Sequence, residues 1–159
     1  MGDFLNRIIK IMKKIFLILI LIIIIFSGCL RNKQKAIDYN NRGFAKTKLK
    51  DYSGAIAEYN NAIKIDPNYG VAYNNRGHAK IKIKDFTGAI SDLNKALVID
   101  PNFQEAYNNR GLAKAKSQDY IGAITDLNKA IEMNPNDGYA YNNRGLTKCL
   151  LQDLSLIHI

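Results

Sequence analysis

The tetrapeptide Asn-Asn-Arg-Gly occurs four times in the chain, and consecutive copies begin 34 residues apart, at Asn40, Asn74, Asn108 and Asn142. A fixed period of this length indicates one structural unit that is copied and stacked, so that each unit contacts mainly its neighbours. Such an array presents a long surface and lacks an enclosed catalytic pocket. The period therefore predicts a protein that recognises a partner and does not catalyse a reaction.

The other features of the unit repeat in the same register. A tyrosine precedes each Asn-Asn pair, an aspartate with a bulky neighbour follows it, and Gly-Ala-Ile comes next in three copies. Those three copies end at Pro67, Pro101 and Pro135, the only prolines of the chain. Between these points apolar residues recur at spacings of three and four, which predicts α-helix. Because proline disfavours helix at the residue before it, each copy should end there.

The Lys50-Asp51 turn and its counterparts divide each copy into two helices, and Asp51 or Ser53 is able to cap the second one. Helices of about 13 residues are marginal alone in water, so each hairpin has to bury its apolar stripe against its neighbours. We therefore predict a stack of helix hairpins.

Small residues should lie where two helices approach closely. We expect this of Ala45, Ala55 and Ala62 and of their counterparts in the other copies. A glycine inside a helix costs roughly 1 kcal/mol against alanine. We expect close backbone packing to compensate at the three glycines of the second helices, which are Gly54, Gly88 and Gly122.

This pattern resembles the tetratricopeptide repeat family. The family's spacing is aromatic-x2-Leu-Gly-x2-Tyr, then Ala-x3-aromatic, then Pro, and it is matched by Tyr39, Gly43, Ala55, Tyr59 and Pro67. The resemblance covers residues 36–153 and implies an all-α fold, a right-handed superhelical solenoid of antiparallel helix hairpins. The implied repeats are 36–69, 70–103 and 104–137, followed at 138–153 by the first helix of a truncated fourth repeat.

Two departures from the family pattern introduce charge. Arginine replaces leucine and lysine replaces tyrosine in the first helix of every copy. The second helix carries an acid 16 residues after the arginine in three copies, and folding the hairpin brings the two positions face to face. We predict an arginine–carboxylate pair within each repeat, with a solvated arginine beside an unrelated acid as the alternative. The pairs are Arg42 with Glu58, Arg76 with Asp92, and Arg110 with Asp126.

The resemblance implies that the first helix of each hairpin lines a concave groove that holds an extended peptide or a partner helix. An asparagine amide offers donors and an acceptor to a peptide backbone, while lysines favour acidic groups. The alternative is that the asparagines only stabilise hairpin stacking through bonds to the backbone. The groove positions are Asn40, Asn41, Asn74, Asn75, Asn108, Asn109, Asn142 and Asn143, then Phe44, His78, Leu112 and Leu146, and then Lys48, Lys82 and Lys116.

The N-terminal segment has a different composition. Two lysines precede twelve uninterrupted apolar residues, Ile15 to Phe26, and Ser27-Gly28-Cys29 follows. At 1.5 Å per residue the apolar run spans about 18 Å, too short for a bilayer core of about 30 Å. A positive start, a short apolar run and small residues at a cleavage site are typical of a secretory signal.

With Cys29 directly after Ser-Gly, this segment resembles a bacterial lipoprotein signal. The resemblance implies a signal peptide at 1–28, a diacylglycerol on the Cys29 thiol and a short tether at 29–35. It also implies a location at the bacterial cell envelope, on the outer membrane in a Gram-negative host. We expect Met12 to be the true start. The alternative is an uncleaved anchor helix in the inner membrane, from Ile8 to Leu30, which its lysines make a poor span.

The charge follows the same division. Residues 1–35 hold seven basic groups and one acidic group, which leaves 16 basic against 13 acidic groups for the repeats. That balance is not a nucleic-acid-binding footprint. Neither His78 nor His158 lies in a cluster at metal-ligand spacing, and no catalytic set or phosphate loop is present. We therefore predict no catalytic residue, no metal and no cofactor.

Residues 154–159 have no counterpart in the other copies, and they match a translation of a transposon end used in preparing sequencing libraries. We expect them to be a non-native tail and the chain to be a fragment. The predicted function is a lipid-anchored envelope scaffold that binds a protein or peptide. Two alternatives remain: the substrate-recruiting arm of a larger enzyme or assembly factor, and a membrane scaffold held by a signal anchor.

Overall fold

The computed structural model describes residues 2–157, and within this range the chain forms seven α-helices and no strand. Three hairpins and one further helix follow each other along the chain, as the period predicts. The expected tail falls partly in the last helix, while Met1, His158 and Ile159 lie outside the described residues. The helices are α1 (Gly2–Lys48), α2 (Tyr52–Ile65), α3 (Gly70–Lys82), α4 (Phe86–Ile99), α5 (Gln104–Lys116), α6 (Tyr120–Met133) and α7 (Gly138–Ile157).

The prolines and the short turns define the hairpins. Asp66, the residue before Pro67, has extended backbone with φ −127° and ψ 93°, and the helix ends there as predicted. Lys50 closes the turn between α1 and α2 with a φ of 61°, and Lys84 and Gln118 adopt the same left-handed conformation in the next two hairpins. The three hairpins therefore share one turn geometry.

Each second helix begins at an aspartate that caps it. The Asp51 carboxylate accepts a hydrogen bond from the Gly54 amide at 2.9 Å, so the cap is Asp51 and not Ser53. A Cβ at Gly54 would collide with this same carboxylate. The expected close packing is therefore present at Gly54, but its partner is the carboxylate that caps the same helix and not another stretch of backbone. Asp85 with Gly88 and Asp119 with Gly122 repeat the arrangement.

The helices pack both within hairpins and between successive hairpins. The first helices also contact one another, since α3 lies against α1 and α5, and α5 lies against α7. The second helices α2, α4 and α6 make no such contacts among the described residues. Because the first helices lie closer together, the array curves with α1, α3, α5 and α7 on its inner side.

Alanines occupy most of the helix contacts, as expected. Ala55 and Ala62 in α2 are fully buried. Ala45 is exposed, so the prediction for this alanine is wrong, although its counterparts Ala79 and Ala113 are fully buried. Ala79 packs against α2 of the preceding hairpin, whereas the described part of the chain has no second helix before α1 that could cover Ala45.

The N-terminal segment and the first helix of the first repeat form one helix, because α1 runs without a break from Gly2 and ends at Lys48. The side chains of the apolar run from Ile15 to Phe26 are between 38% and 65% exposed. Cys29 is also exposed and lies within the same helix. Among the described residues, no helix has the length and hydropathy required to cross a membrane.

Candidate functional site

An ion cluster joins the two helices of each hairpin. In the second repeat, Arg76 donates from Nε to Asp92 Oδ2 at 2.8 Å and from Nη2 to Asp92 Oδ1 at 2.5 Å. This bidentate geometry confirms the predicted pair, and the third repeat has the same one between Arg110 and Asp126. The aspartate is buried, with a side chain 6% exposed in the second repeat.

The lysine that replaces the family's tyrosine binds the same carboxylate. Lys80 Nζ lies 2.8 Å from Asp92 Oδ2, and Lys114 Nζ lies 2.8 Å from Asp126 Oδ2. This lysine was not among the predicted pairs. The sequence contained the necessary information, because an arginine and a lysine four residues apart lie on one face of a helix and can reach the same carboxylate. The two departures from the family pattern thus form one cluster.

The arginine also reaches the preceding repeat. Arg76 Nη1 donates to Asn60 Oδ1 at 2.6 Å, and Arg110 Nη1 donates to Asn94 Oδ1 at 2.8 Å. Each guanidinium additionally lies over the tyrosine three residues before it, at 5.4 Å from the ring centroid in both repeats. One arginine therefore connects its own hairpin to the hairpin before it.

In the first repeat the cluster is more open. Glu58 accepts from Arg42 Nε at 3.1 Å and from Lys46 Nζ at 2.7 Å. These two bonds, the Lys46 bond first, hold the pKa of the Glu58 carboxyl below its usual value. The Arg42 side chain is 55% exposed, against 17% for Arg76. The predicted pair is present here as well, in contact with water.

The asparagine pairs form a ladder along the first helices. Asn75 Nδ2 donates to Asn40 Oδ1 at 3.0 Å, and Asn109 Nδ2 donates to Asn74 Oδ1 at 2.9 Å. Asn143 and Asn108 repeat the contact at 3.0 Å. These bonds join side chain to side chain between neighbouring repeats, whereas the stacking alternative assumed bonds to the backbone. Much of the amide chemistry is therefore used inside the array, and a binding role for the asparagines stays a prediction.

A second strip of predicted groove positions lies one turn further along the first helices. Phe44 and Leu146 are exposed, while His78 and Leu112 are half-buried. Burial, and then the charge of Lys82, lower the pKa of His78 below 6.5, which favours the neutral imidazole at neutral pH. The strip offers apolar and aromatic surface on the inner side of the array.

The predicted row of lysines completes the inner surface. Lys48, Lys82 and Lys116 are exposed, and Lys48 Nζ lies 4.7 Å from the centroid of the Phe44 ring. Among the described residues none of these three lysines pairs with a carboxylate. In the fourth repeat the corresponding residue is Leu150, which lines a cavity of about 50 Å³ with Leu146 and its neighbours. The inner surface is therefore cationic over three repeats and apolar at its end.

The described part of the chain contains no group of three His, Cys, Asp or Glu residues suited to a metal ion. Both cysteines are free and exposed, and Cys149 lies in α7. The chemistry that the inner surface offers is therefore hydrogen bonding, apolar contact and positive charge.

Comparison with protein families and solved structures gives consistent matches. A family model described as TPR repeat matches residues 43–83 and 80–118, and one described as tetratricopeptide repeat matches residues 105–137. The first TPR of Spaghetti (RPAP3), bound to the HSP90 peptide SRMEEVD, is 30% identical with a TM-score of 0.73, over 76% of this chain and 95% of that chain. No curated protein sequence matches the chain.

Two further solved structures are similar. The TPR2B domain of yeast Sti1, in its pHsp70 complex, is 29% identical with a TM-score of 0.68, over 76% of this chain and 98% of that chain. The second TPR domain of human RPAP3, in complex with the HSP70 peptide SGPTIEEVD, is 25% identical with a TM-score of 0.70. That match covers 74% of this chain and 98% of the human domain.

Proposed function

We infer that this chain, which belongs to the tetratricopeptide repeat family, is a protein-binding scaffold without catalytic activity of its own. Its inner surface, formed by α1, α3, α5 and α7, holds an extended peptide. The solved structures of the similar domains from Spaghetti, human RPAP3 and yeast Sti1 are complexes with heat-shock-protein peptides or partners. They support a peptide ligand for this chain.

The proposal rests on one observation: the array contains two rows of lysines, of which one is paired with carboxylates and the other is not. Lys80 and Lys114 are bound to buried aspartates. Two residues further along the same helices, Lys82 and Lys116 are exposed and have no carboxylate partner among the described residues. An unpaired row of cations beside apolar side chains attracts acidic groups on a peptide with apolar side chains. We therefore propose an acidic, partly apolar peptide as the ligand.

A peptide-display selection on the full chain tests this proposal. We expect selected peptides to bind at least tenfold more weakly to the double variant Lys82→Ala/Lys116→Ala, because two charge-assisted contacts are lost. The matched control is Lys64→Ala/Lys95→Ala, which removes the same charge from exposed positions on the second helices. Equal weakening by both double variants would mean that only net charge matters and would contradict a groove.

We also propose that the scaffold is attached to the bacterial envelope through lipid on Cys29. Exposure of Cys29 and of the apolar run before it supports this proposal, since both are accessible along α1. Labelling cells with radioactive palmitate tests it. We expect label in the wild type and none in Cys29→Ala, with Cys149→Ala as the control that keeps the label. Membrane-bound protein of unprocessed length without label would support the signal anchor instead.

A further inference from the structure

The turns that join the two helices of each hairpin share one backbone conformation but differ in their side chains. Lys50, Lys84 and Gln118 occupy the same left-handed position, with φ of 61°, 66° and 69°. In each turn the amide of the next residue, an aspartate, donates to a carbonyl of the first helix, at 3.0, 2.9 and 2.9 Å. The same turn therefore forms around three different pairs of residues, which are Leu49-Lys50, Ile83-Lys84 and Ser117-Gln118.

The first two turns expose an apolar side chain next to a lysine. Leu49 is 80% exposed and Ile83 is 47% exposed, although Ile83 belongs to an interior hairpin. Lys50 and Lys84 are exposed as well, and neither forms an ion pair with a described residue. Left-handed backbone is disfavoured for residues with a Cβ, so the turn itself would favour glycine over lysine. The turn geometry thus requires neither the apolar residue nor the lysine.

The two turns are neighbours and adjoin the groove. The first helices α1 and α3 are in contact, and packed helices lie about 10 Å apart, so their ends lie side by side. The groove lysines Lys48 and Lys82 directly precede the apolar residues of the turns. A surface that we call the tip patch therefore continues the groove at one edge of the array, and it consists of Leu49, Lys50, Ile83 and Lys84.

The two edges of the array carry different charge. At the tips, the carboxylates of Asp51 and Asp85 are engaged as helix caps by the amides of Gly54 and Gly88. The turns between hairpins form the opposite edge, and they contain no basic residue. They carry acids at Asp66, Asp100 and Asp137. An acidic ligand is therefore attracted to the edge with the tip patch and repelled from the other.

We propose that the tip patch binds a segment of the peptide ligand that extends beyond the groove and in which acidic and apolar residues alternate. The acids pair with Lys50 and Lys84, and the apolar side chains cover Leu49 and Ile83. Each of the first two hairpins supplies one cation and one apolar side chain, so the segment carries one acid and one apolar residue for each hairpin. This inference rests on the proposed binding of a peptide in the groove.

A peptide with and without an extension tests the tip patch. The starting peptide is one that is selected on the full chain and weakened by Lys82→Ala/Lys116→Ala. We expect Asp-Leu-Asp-Leu, added at one of its two ends, to raise the affinity about tenfold, because two exposed ion pairs and two apolar contacts are gained. The extension Asn-Ser-Asn-Ser should leave the affinity unchanged. Fluorescence anisotropy of labelled peptides, with the full chain in detergent, measures each affinity.

Protein variants locate the contact. Leu49→Ser/Lys50→Gln/Ile83→Ser/Lys84→Gln gives both turns the residues of the third turn, which has the same backbone, so we expect the fold to be kept. This variant should lose the gain from the extension and bind the starting peptide as the wild type does. The control Lys64→Ala/Lys95→Ala removes the same charge from the second helices and should keep the gain.

The outcomes separate the tip patch from the groove. No gain from the acidic extension at either end, or a gain that the fourfold variant keeps, would overturn the tip patch and leave the groove intact. If Lys82→Ala/Lys116→Ala weakens none of the selected peptides, the groove proposal fails and the tip patch fails with it. Self-association in sedimentation that the fourfold variant removes would also overturn the proposal, since a second copy would then be the occupant.

Discussion

The second and first repeats contain the same ion cluster in different surroundings. In the second repeat the Asp92 side chain is 6% exposed, and Arg76 also binds Asn60 of the hairpin before it. In the first repeat Glu58 is 16% exposed, and no hairpin precedes Arg42 among the residues that the structure describes. The two clusters use the same positions, with glutamate in the first repeat and aspartate in the second, and the contact with a preceding hairpin is seen in the second repeat. Ala45 and Ala79 differ in burial for this reason as well.

Each hairpin supplies its own ion pair, and the preceding hairpin contributes to the environment of that pair. A buried pair loses solvation that an exposed pair keeps, so removing one partner has a larger effect inside the array. The interior repeats should therefore depend strongly on these charges and the first repeat weakly.

The largest expected effect separates these two environments directly. Asp92→Asn leaves Arg76 and Lys80 without their carboxylate and should lower the free energy of unfolding by about 3 kcal/mol. Glu58→Gln should lower it by about 1 kcal/mol or less, because Arg42 remains solvated. Urea denaturation measures both. Equal losses would refute the dependence on the preceding hairpin.

A double variant sharpens the same comparison. Arg76→Leu/Asp92→Leu removes both partners of the bidentate pair and leaves Lys80 with only the Gly88 carbonyl, so it should recover part of the stability that either single change loses, since apolar pairs often replace buried ion pairs at little cost. The coupling free energy from the four proteins is the measured quantity. If the two single changes simply add, the buried pair contributes no coupling.

The fold follows from the sequence because one period, three prolines and the helical spacing all act locally. The arginine–acid pairs also followed, because both partners belong to one hairpin. The contact of Arg76 with Asn60 was missed, since it joins two hairpins whose relative placement no single unit specifies. The spacing held a clue, because Arg76 lies 16 residues after Asn60 and 16 before Asp92.

The candidate site was less predictable than the fold. The sequence identified the asparagine pairs as candidates, yet it did not show that their amides bond to each other. A residue that recurs in every repeat is expected both where repeats stack and where they bind a ligand, so the sequence pattern does not separate the two roles. The distances in the structure show which groove candidates are already hydrogen-bonded within the array, the amides, and which are unpaired among the described residues, the lysines.

Substitutions of two glycines in the first helices should change the free energy of unfolding by an intermediate amount, in opposite directions. Gly111→Ala places a Cβ 2.7 Å from Leu127 Cγ and 3.1 Å from the Ala123 carbonyl, so it should destabilise by about 1 to 3 kcal/mol. A Cβ at Gly145 meets no atom of the described residues within 4 Å, so Gly145→Ala should stabilise α7 by up to about 1 kcal/mol. Thermal unfolding of both variants decides this. A loss in Gly145→Ala equal to that in Gly111→Ala would contradict the open face of α7.

Substitutions in the asparagine ladder should show a smaller difference in the free energy of unfolding between an interior position and a position in the last helix. Asn109→Ala removes a donor to the buried Asn74 amide and should cost about 1 kcal/mol. Asn142 is exposed and makes no hydrogen bond to the described residues, so Asn142→Ala should change stability by less than about 0.5 kcal/mol. Unfolding in urea compares the two. No loss in Asn109→Ala would remove the structural role of the ladder.

The smallest expected effect is a pH dependence of stability in the second repeat. It comes from His78, which occupies the position of Leu112 in the third repeat. Burial first, and then Lys82, lower the pKa of His78 in the folded chain below 6.5. The unfolded chain therefore binds more protons as the pH falls through 6.5, and stability present above that pH is lost on approach to the folded pKa. Unfolding of wild type and His78→Leu at about pH 7.5 and about pH 5.5 measures this. A difference between them that does not change with pH would contradict it.

The central claim is that the first helices form the surface that binds a peptide. Hydrogen exchange of the full chain, with and without a peptide selected by display, tests this claim most directly. We expect slower amide exchange in α3 and α5 when the peptide is bound, with unchanged exchange in α4 and α6. Slower exchange in α4 and α6, with α3 and α5 unaffected, would contradict it.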